Sequence, residues 1–108
     1  MVYGYIRQLH GLSSLSEQQR DILSFSLAND IQVDKEVVEY SNRPLKIEER
    51  KEFEEFLHSL SEGDSIVVSM LSVLSQRAEE LIKLINCALS KEVTLYVTSP
   101  KRIINKTL

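Results

Sequence analysis

The side chains in this sequence that could do chemistry are few and scattered. Arg7 closes an apolar, β-branched segment and Arg50 lies in the first turns of a helical segment, so two guanidinium groups could hold an anion such as a phosphate. An arginine at a strand end or a helix start is more often a structural ion-pair partner, and that reading carries the greater weight. Ser13 and Ser14 are the hydroxyls that follow Arg7 in the next loop, and Ser14 already has a capping task. His10 falls in a loop and His58 inside a helix, without a Cys or His at ligand spacing, so neither a metal site nor an acid–base pair is expected. Cys87 is the only cysteine; it cannot form an internal disulfide and reads as a small hydrophobe on a helix. No cofactor is expected.

The elements that must position these groups follow from periodicity. Val2 to Arg7 is short and rich in β-branched and aromatic residues, as in a buried strand. Ser14-Leu15-Ser16-Glu17 has the S-x-x-E spacing of a helix start, and the spacing predicts a helix to about Asn29 with Leu15, Ile22, Leu23 and Ala28 inward. Val37 to Tyr40 is a second strand, followed by a loop at Ser41-Asn42-Arg43-Pro44. A second helix is predicted from about Lys46 to Leu60, with Phe53, Phe56, Leu57 and Leu60 apolar and Glu48 to Glu55 forming a mixed-charge face. Gly63-Asp64 turns the chain into a third strand, Ser65 to Leu71, whose continuous apolar run suits a sheet covered on both faces. Ser72 to Ser75 reads as a loop. A third helix from about Gln76 to Ser90, with Ala78, Leu81, Ile82, Ile85 and Leu89 inward, precedes a fourth strand, Val93 to Val97, closed by Pro100. The ending from Lys101 to Lys106 is mildly basic.

Strands alternating with helices predict a single α/β domain over residues 1–108, a three-layer α/β/α arrangement with a mostly parallel sheet of four or five strands. In such sheets function gathers at the carboxyl ends of the strands. Those ends are Gln8 to Ser14, Ser41 to Pro44, Ser72 to Ser75 and the segment after Thr98.

Several of these pieces, in order, resemble the catalytic domain of serine recombinases, the resolvase and invertase family. Tyr3-Gly4-Tyr5-Ile6-Arg7 is similar to the family's first strand, which commonly reads Y-x-R-V-S and delivers the nucleophilic serine just past the arginine. Leu15 and Gln18 match its L-x-x-Q at the first helix. Arg50 stands where the family places an active-site arginine, Glu39 lies near its acidic residue at the end of the second strand, and Glu62-Gly63-Asp64-Ser65-Ile66-Val67-Val68 resembles the start of its third strand. No single piece is specific; the ordered spacing carries the resemblance. It implies a resolvase-like fold and phosphoryl transfer in which a serine attacks a DNA phosphodiester while arginines stabilise the developing charge.

The departures are as informative as the matches. On this register the nucleophile falls at Leu9, which has no atom able to attack phosphorus. The family's D-R-L-x-R after the third strand falls on Ser72-Val73-Leu74-Ser75-Gln76, so the aspartate gives way to Ser72 and the arginines to Val73 and Gln76. Catalytic residues are therefore not expected; Arg7, Leu9, Glu39, Arg50, Ser72, Val73 and Gln76 are vestigial positions, and Arg7 with Arg50 is a candidate anion site.

Charge points the same way. Thirteen Lys and Arg against 16 Asp and Glu give a net charge of -3, the wrong sign for a domain that grips the phosphate backbone unaided. DNA contact through a partner recombinase, and a homo- or hetero-oligomer, are the expected associations. No segment has the length or apolarity of a membrane span, which with the lone cysteine suits a soluble cytoplasmic protein. No separate DNA-reading domain is expected within these 108 residues. Three functions stay open: a non-catalytic interaction or regulatory module, an active recombinase using a shifted serine, and an unrelated α/β domain that binds an anion.

Overall fold

A computed structural model describes residues 1–105; of the basic ending, Lys106 lies outside them. Five strands form one sheet in the order β2-β1-β3-β4-β5. They are β1 (Val2–Gln8), β2 (Lys35–Tyr40), β3 (Ser65–Val68), β4 (Thr94–Thr98) and β5 (Lys101–Ile104). The first four run parallel and β5 returns antiparallel, pairing Leu95 with Ile104 and Thr98 with Lys101. The helices are α1 (Leu15–Asn29), α2 (Lys51–Ser59), the single turn α3 (Leu71–Leu74) and α4 (Ala78–Ser90).

Alternation along the strands divides the interior into two layers. On one face Tyr5, Ile66, Val68, Leu95 and Val97 pack with Phe53 and Leu60 near α2, with Val73 and Leu74 of α3, and with Leu84 of α4. On the other, Ile6 and Val67 pack with Ile22 and Phe25 of α1. Gly4 faces this second layer, where a Cβ would lie 3.2 Å from Val33 Cγ1 and 3.6 Å from Ile22 Cγ2; its bare backbone lets α1 and the following loop lie close over the sheet. The expected three-layer architecture is present.

Local signals fix several element ends. Ser14 caps α1, its Oγ accepting the Glu17 N–H at 3.2 Å. The Glu17 carboxylate meets the Ser14 hydroxyl rather than returning to a backbone amide, so the capping box is half formed. Gly63 turns at φ +89 before β3, and Asp64 Oδ2 accepts the Ser61 N–H at 2.8 Å.

Other expectations need correction. On α1, Leu23 is 60% exposed and Ala28 is also exposed, while Phe25 with Gln18 and Ser26 fills the inward side. Likewise Ala78 and Ile82 of α4 face out and Leu84 faces in. Each helix carries two apolar stripes, and the sheet selects one. The third strand stops at Val68, and Leu71–Leu74 coils into a helical turn rather than continuing the strand or forming an open loop. The Ser69 carbonyl accepts from the Ser99 N–H and Thr98 Oγ1, the last ties to β4 before that turn. The second helix begins as a 3-10 turn, Ile47–Glu49, broken from α2 at Arg50.

Candidate functional site

At the carboxyl ends of β1 and β2 the alternation that fills the core places polar side chains on the α2 face. Tyr5 and Arg7 share that face of β1, and the ladder sets Arg7 beside Glu39 of β2. Arg50 enters from the start of α2. Its backbone leaves helical geometry there (φ -97, ψ 70), so the side chain turns into the sheet rather than along the helix.

Glu39 is the hub. Arg50 grips it bidentately, Nε donating to Oε2 at 2.8 Å and Nη2 to Oε1 at 2.6 Å. The Tyr5 hydroxyl donates to Oε1, and Arg7 Nε lies 3.7 Å from Oε2 while donating to Ser41 Oγ at 3.1 Å. Arg50 Nη1 donates to the Leu74 carbonyl, and its guanidinium carbon stands 4.0 Å from the centre of the Phe53 ring. Arg7, Arg50 and Glu39 are 2%, 3% and 8% exposed. Such burial is tolerated only where charges meet partners.

The electrostatics follow. Burial alone would raise the Glu39 carboxyl, but hydrogen bonds from Arg50 and Tyr5 and the two positive charges outweigh it and hold its pKa below the ordinary value. Burial pushes the Tyr5 hydroxyl up, and the neighbouring Glu39 charge pushes it further, so it remains a neutral donor. Burial and the Arg50 charge lower the Arg7 pKa, partly offset by Glu39. For Arg50 the attraction of Glu39 exceeds the burial penalty and the pKa rises.

A second group of residues joins the cluster on the side of α4. Arg7, Ser75, Gln76, Arg77 and Glu80 help line a cavity of about 20 Å³, on the scale of one water molecule. Arg7 Nη2 is buried without a hydrogen-bond partner. Glu80 ties this rim together, accepting from Ser75 Oγ at 3.1 Å and from the Ile47 N–H at 3.3 Å.

The sequence pattern of the family described as "Resolvase, N terminal domain" matches residues 2–107. The chain belongs to that family. Among solved structures, the N-terminal catalytic domain of TP901-1 integrase is similar at a TM-score of 0.76 and 17% identity, covering 94% of this chain and 79% of that one. At that identity the likeness concerns the fold alone. No curated protein matches.

Within this resolvase-like domain, the sequence-derived positions separate. Arg7, Glu39 and Arg50 converge. Leu9 follows β1 and is packed inside at 4% exposure. Val73 belongs to the core layer on the α2 and α4 side, Ser72 is half-buried on α3, and Gln76 is exposed at the rim. Ser13 is half-buried and gives its carbonyl to Gln18 Nε2 at 2.8 Å. His10 is exposed in its loop; His58 and Cys87 line a separate cleft of about 890 Å³ between α2 and α4. Among the described residues no group of side chains could hold a metal ion, and no helix is long and apolar enough to cross a membrane.

Tyr5, Ser41, Ser75, Arg77 and Glu80 were not singled out from the sequence. Two of them carried a usable signal: Tyr5 and Ser41 lie two residues from Arg7 and Glu39, the spacing that keeps side chains on one face of a strand. Arg77 stands one residue beyond Gln76, the position on which the resemblance had placed an arginine, and was passed over for that offset. The hydrogen bond from the Ile47 N–H to Glu80 exists only once the 3-10 turn and α4 are brought together in the tertiary structure.

Proposed function

We propose that this chain is a non-catalytic member of the serine recombinase family, an interaction or regulatory module that reaches DNA only through a partner recombinase. The observation that carries this reading is Leu9. At the position of the family nucleophile there is an aliphatic side chain, buried against the protein and unable to attack phosphorus.

The surrounding charges support the same reading. Transition-state stabilisation needs donors aimed at the phosphoryl oxygens. Arg50 instead spends its donors on Glu39, Tyr5 and the Leu74 carbonyl. Arg7 is enclosed by a rim with space for little more than a water molecule. Of the two candidates for a shifted nucleophile, Ser14 caps α1 and Ser13 is half-buried beside Gln18. The net charge of -3 weakens unaided DNA binding.

The test is incubation with supercoiled plasmid DNA, quenching in denaturant, and a search for a covalent protein–DNA adduct. No adduct is expected at any protein concentration. A phosphoserine link mapped by mass spectrometry to any serine would overturn the proposal.

A further inference from the structure

The Glu39 carboxylate lies between two buried guanidinium groups, but its strong hydrogen bonds go to Arg50 and Tyr5. Arg7 keeps Nε on Ser41 Oγ, while its Nη2 is buried and has no hydrogen-bond partner among the described residues. A charged donor buried in that way is costly and calls for an acceptor. Arg7 lines the cavity of about 20 Å³ on the side of α4, and Glu80 is the one carboxylate in the same lining. Glu80 stands in the first turn of α4, with its oxygens fixed by the Ser75 hydroxyl at 3.1 Å and the Ile47 N–H at 3.3 Å. Its charge favours the protonated form of Arg7, yet it makes no direct hydrogen bond to Nη2.

We infer that this cavity is a site for one water molecule, which accepts a hydrogen bond from Arg7 Nη2 and donates one to the Glu80 carboxylate, and that the link closes Arg7 to an outside anion. The chemistry of the two ends selects the occupant. A guanidinium only donates and an ionised carboxylate only accepts, so whatever lies between them must accept on one side and donate on the other. Water does both. A halide ion cannot donate and would face the Glu80 charge, and a tetrahedral oxyanion needs more room than a single water does. Ser75 gives the water a third polar neighbour, as buried waters ordinarily have, while Pro44 and Leu45 add apolar wall. A bridging water joins two such groups nearly as well as direct contact.

Gln76 and Arg77 complete the lining and are exposed. Solution therefore lies close by, and the Glu80 charge repels an anion that approaches Arg7 from it. The inference rests on the non-catalytic reading above, yet the two fail separately. A covalent DNA adduct would leave the hydrogen bonds of the water in place, and a dry cavity would leave Leu9 without a nucleophilic atom.

Two measurements on the full chain test the link. A crystal structure that resolves ordered water should show one water at about 2.7–3.2 Å from both Arg7 Nη2 and a Glu80 carboxylate oxygen. A dry cavity, an anion in it, or a direct Arg7–Glu80 pair would overturn the inference. Closure is probed with inorganic phosphate, titrated at constant ionic strength and followed by the nitrogen NMR shifts of the arginine guanidinium groups. Glu80→Ala should bind phosphate at Arg7 with a dissociation constant about ten-fold or more below that of the wild-type chain. If circular dichroism shows that Glu80→Ala does not fold, Glu80→Gln, which removes the charge and little of the shape, must move the affinity in the same direction. Equal phosphate affinity in the wild-type chain and the folded variants, or a response confined to other arginines, would also overturn it.

Discussion

Arg7 and Glu39 are register partners on neighbouring parallel strands, and their side chains meet on the same face of the sheet with Arg7 Nε 3.7 Å from Glu39 Oε2. Arg50 closes on the same carboxylate from α2, so one negative charge holds two buried positive ones. The cluster ties β1, β2 and α2 together at the carboxyl ends of the two strands. Its outcomes under substitution separate a structural role from a ligand-binding one.

Replacing Glu39 by Gln should be strongly destabilising. The change keeps the shape of the side chain but leaves Arg7 and Arg50 buried without a counter-charge, a situation that costs about 3–5 kcal/mol. Urea denaturation of the variant at neutral pH measures it, and a loss below about 1 kcal/mol, the scale of an exposed pair, would show that the cluster opens to solvent.

Stability should fall in acid, and Glu39 should account for part of the fall. Its carboxyl titrates at an ordinary 4.5 when unfolded and lower when folded. The contribution is therefore complete above pH 4.5 and is lost as pH descends through the folded value. Denaturation midpoints followed from pH 7 to pH 3 should show a shallower decline in Glu39→Gln than in the wild-type chain.

Restoring a hydroxyl at the family position should not restore cleavage. Leu9→Ser supplies a nucleophile, but Val73 and Gln76 still lack guanidinium groups and Arg50 remains committed to Glu39. The expected result is no covalent DNA adduct together with a destabilisation of about 2–5 kcal/mol from the emptied core position. An adduct formed by Leu9→Ser would show that the remaining arginines suffice.

Gln18 should matter more than a polar residue on a helix ordinarily does. It is fully buried; its Oε1 accepts the Arg7 N–H at 2.9 Å and its Nε2 donates to the Arg7 and Ser13 carbonyls, each at 2.8 Å. Gln18→Leu leaves the Arg7 amide without its partner and should cost about 1–3 kcal/mol for that group alone. Hydrogen exchange at the Arg7 amide should accelerate by more than at amides of β3.

The strands and most of the helices were legible because their cause is local. The β-branched run at Val2 to Arg7, the capping serine before α1 and the apolar stretch of β3 each state their conformation within a few residues. The ordered pieces from Tyr3 to Val68 likewise pointed to the resolvase-like fold. Strand β5 was the exception among the strands, since its mildly basic sequence acquires a ladder only by returning against β4.

What the sequence by itself determined, then, was most of the element types, the family and the aliphatic residue at position 9. Tertiary structure decided which apolar stripe of α1 and α4 turns inward, leaving Leu23, Leu27 and Ile82 outside, and it joined Arg7, Arg50 and Tyr5 on one carboxylate. The physical reason is that periodicity identifies faces but not what covers them. A buried charge cluster also exists only where separate strands and a helix bring opposite charges within a few ångströms and exclude water.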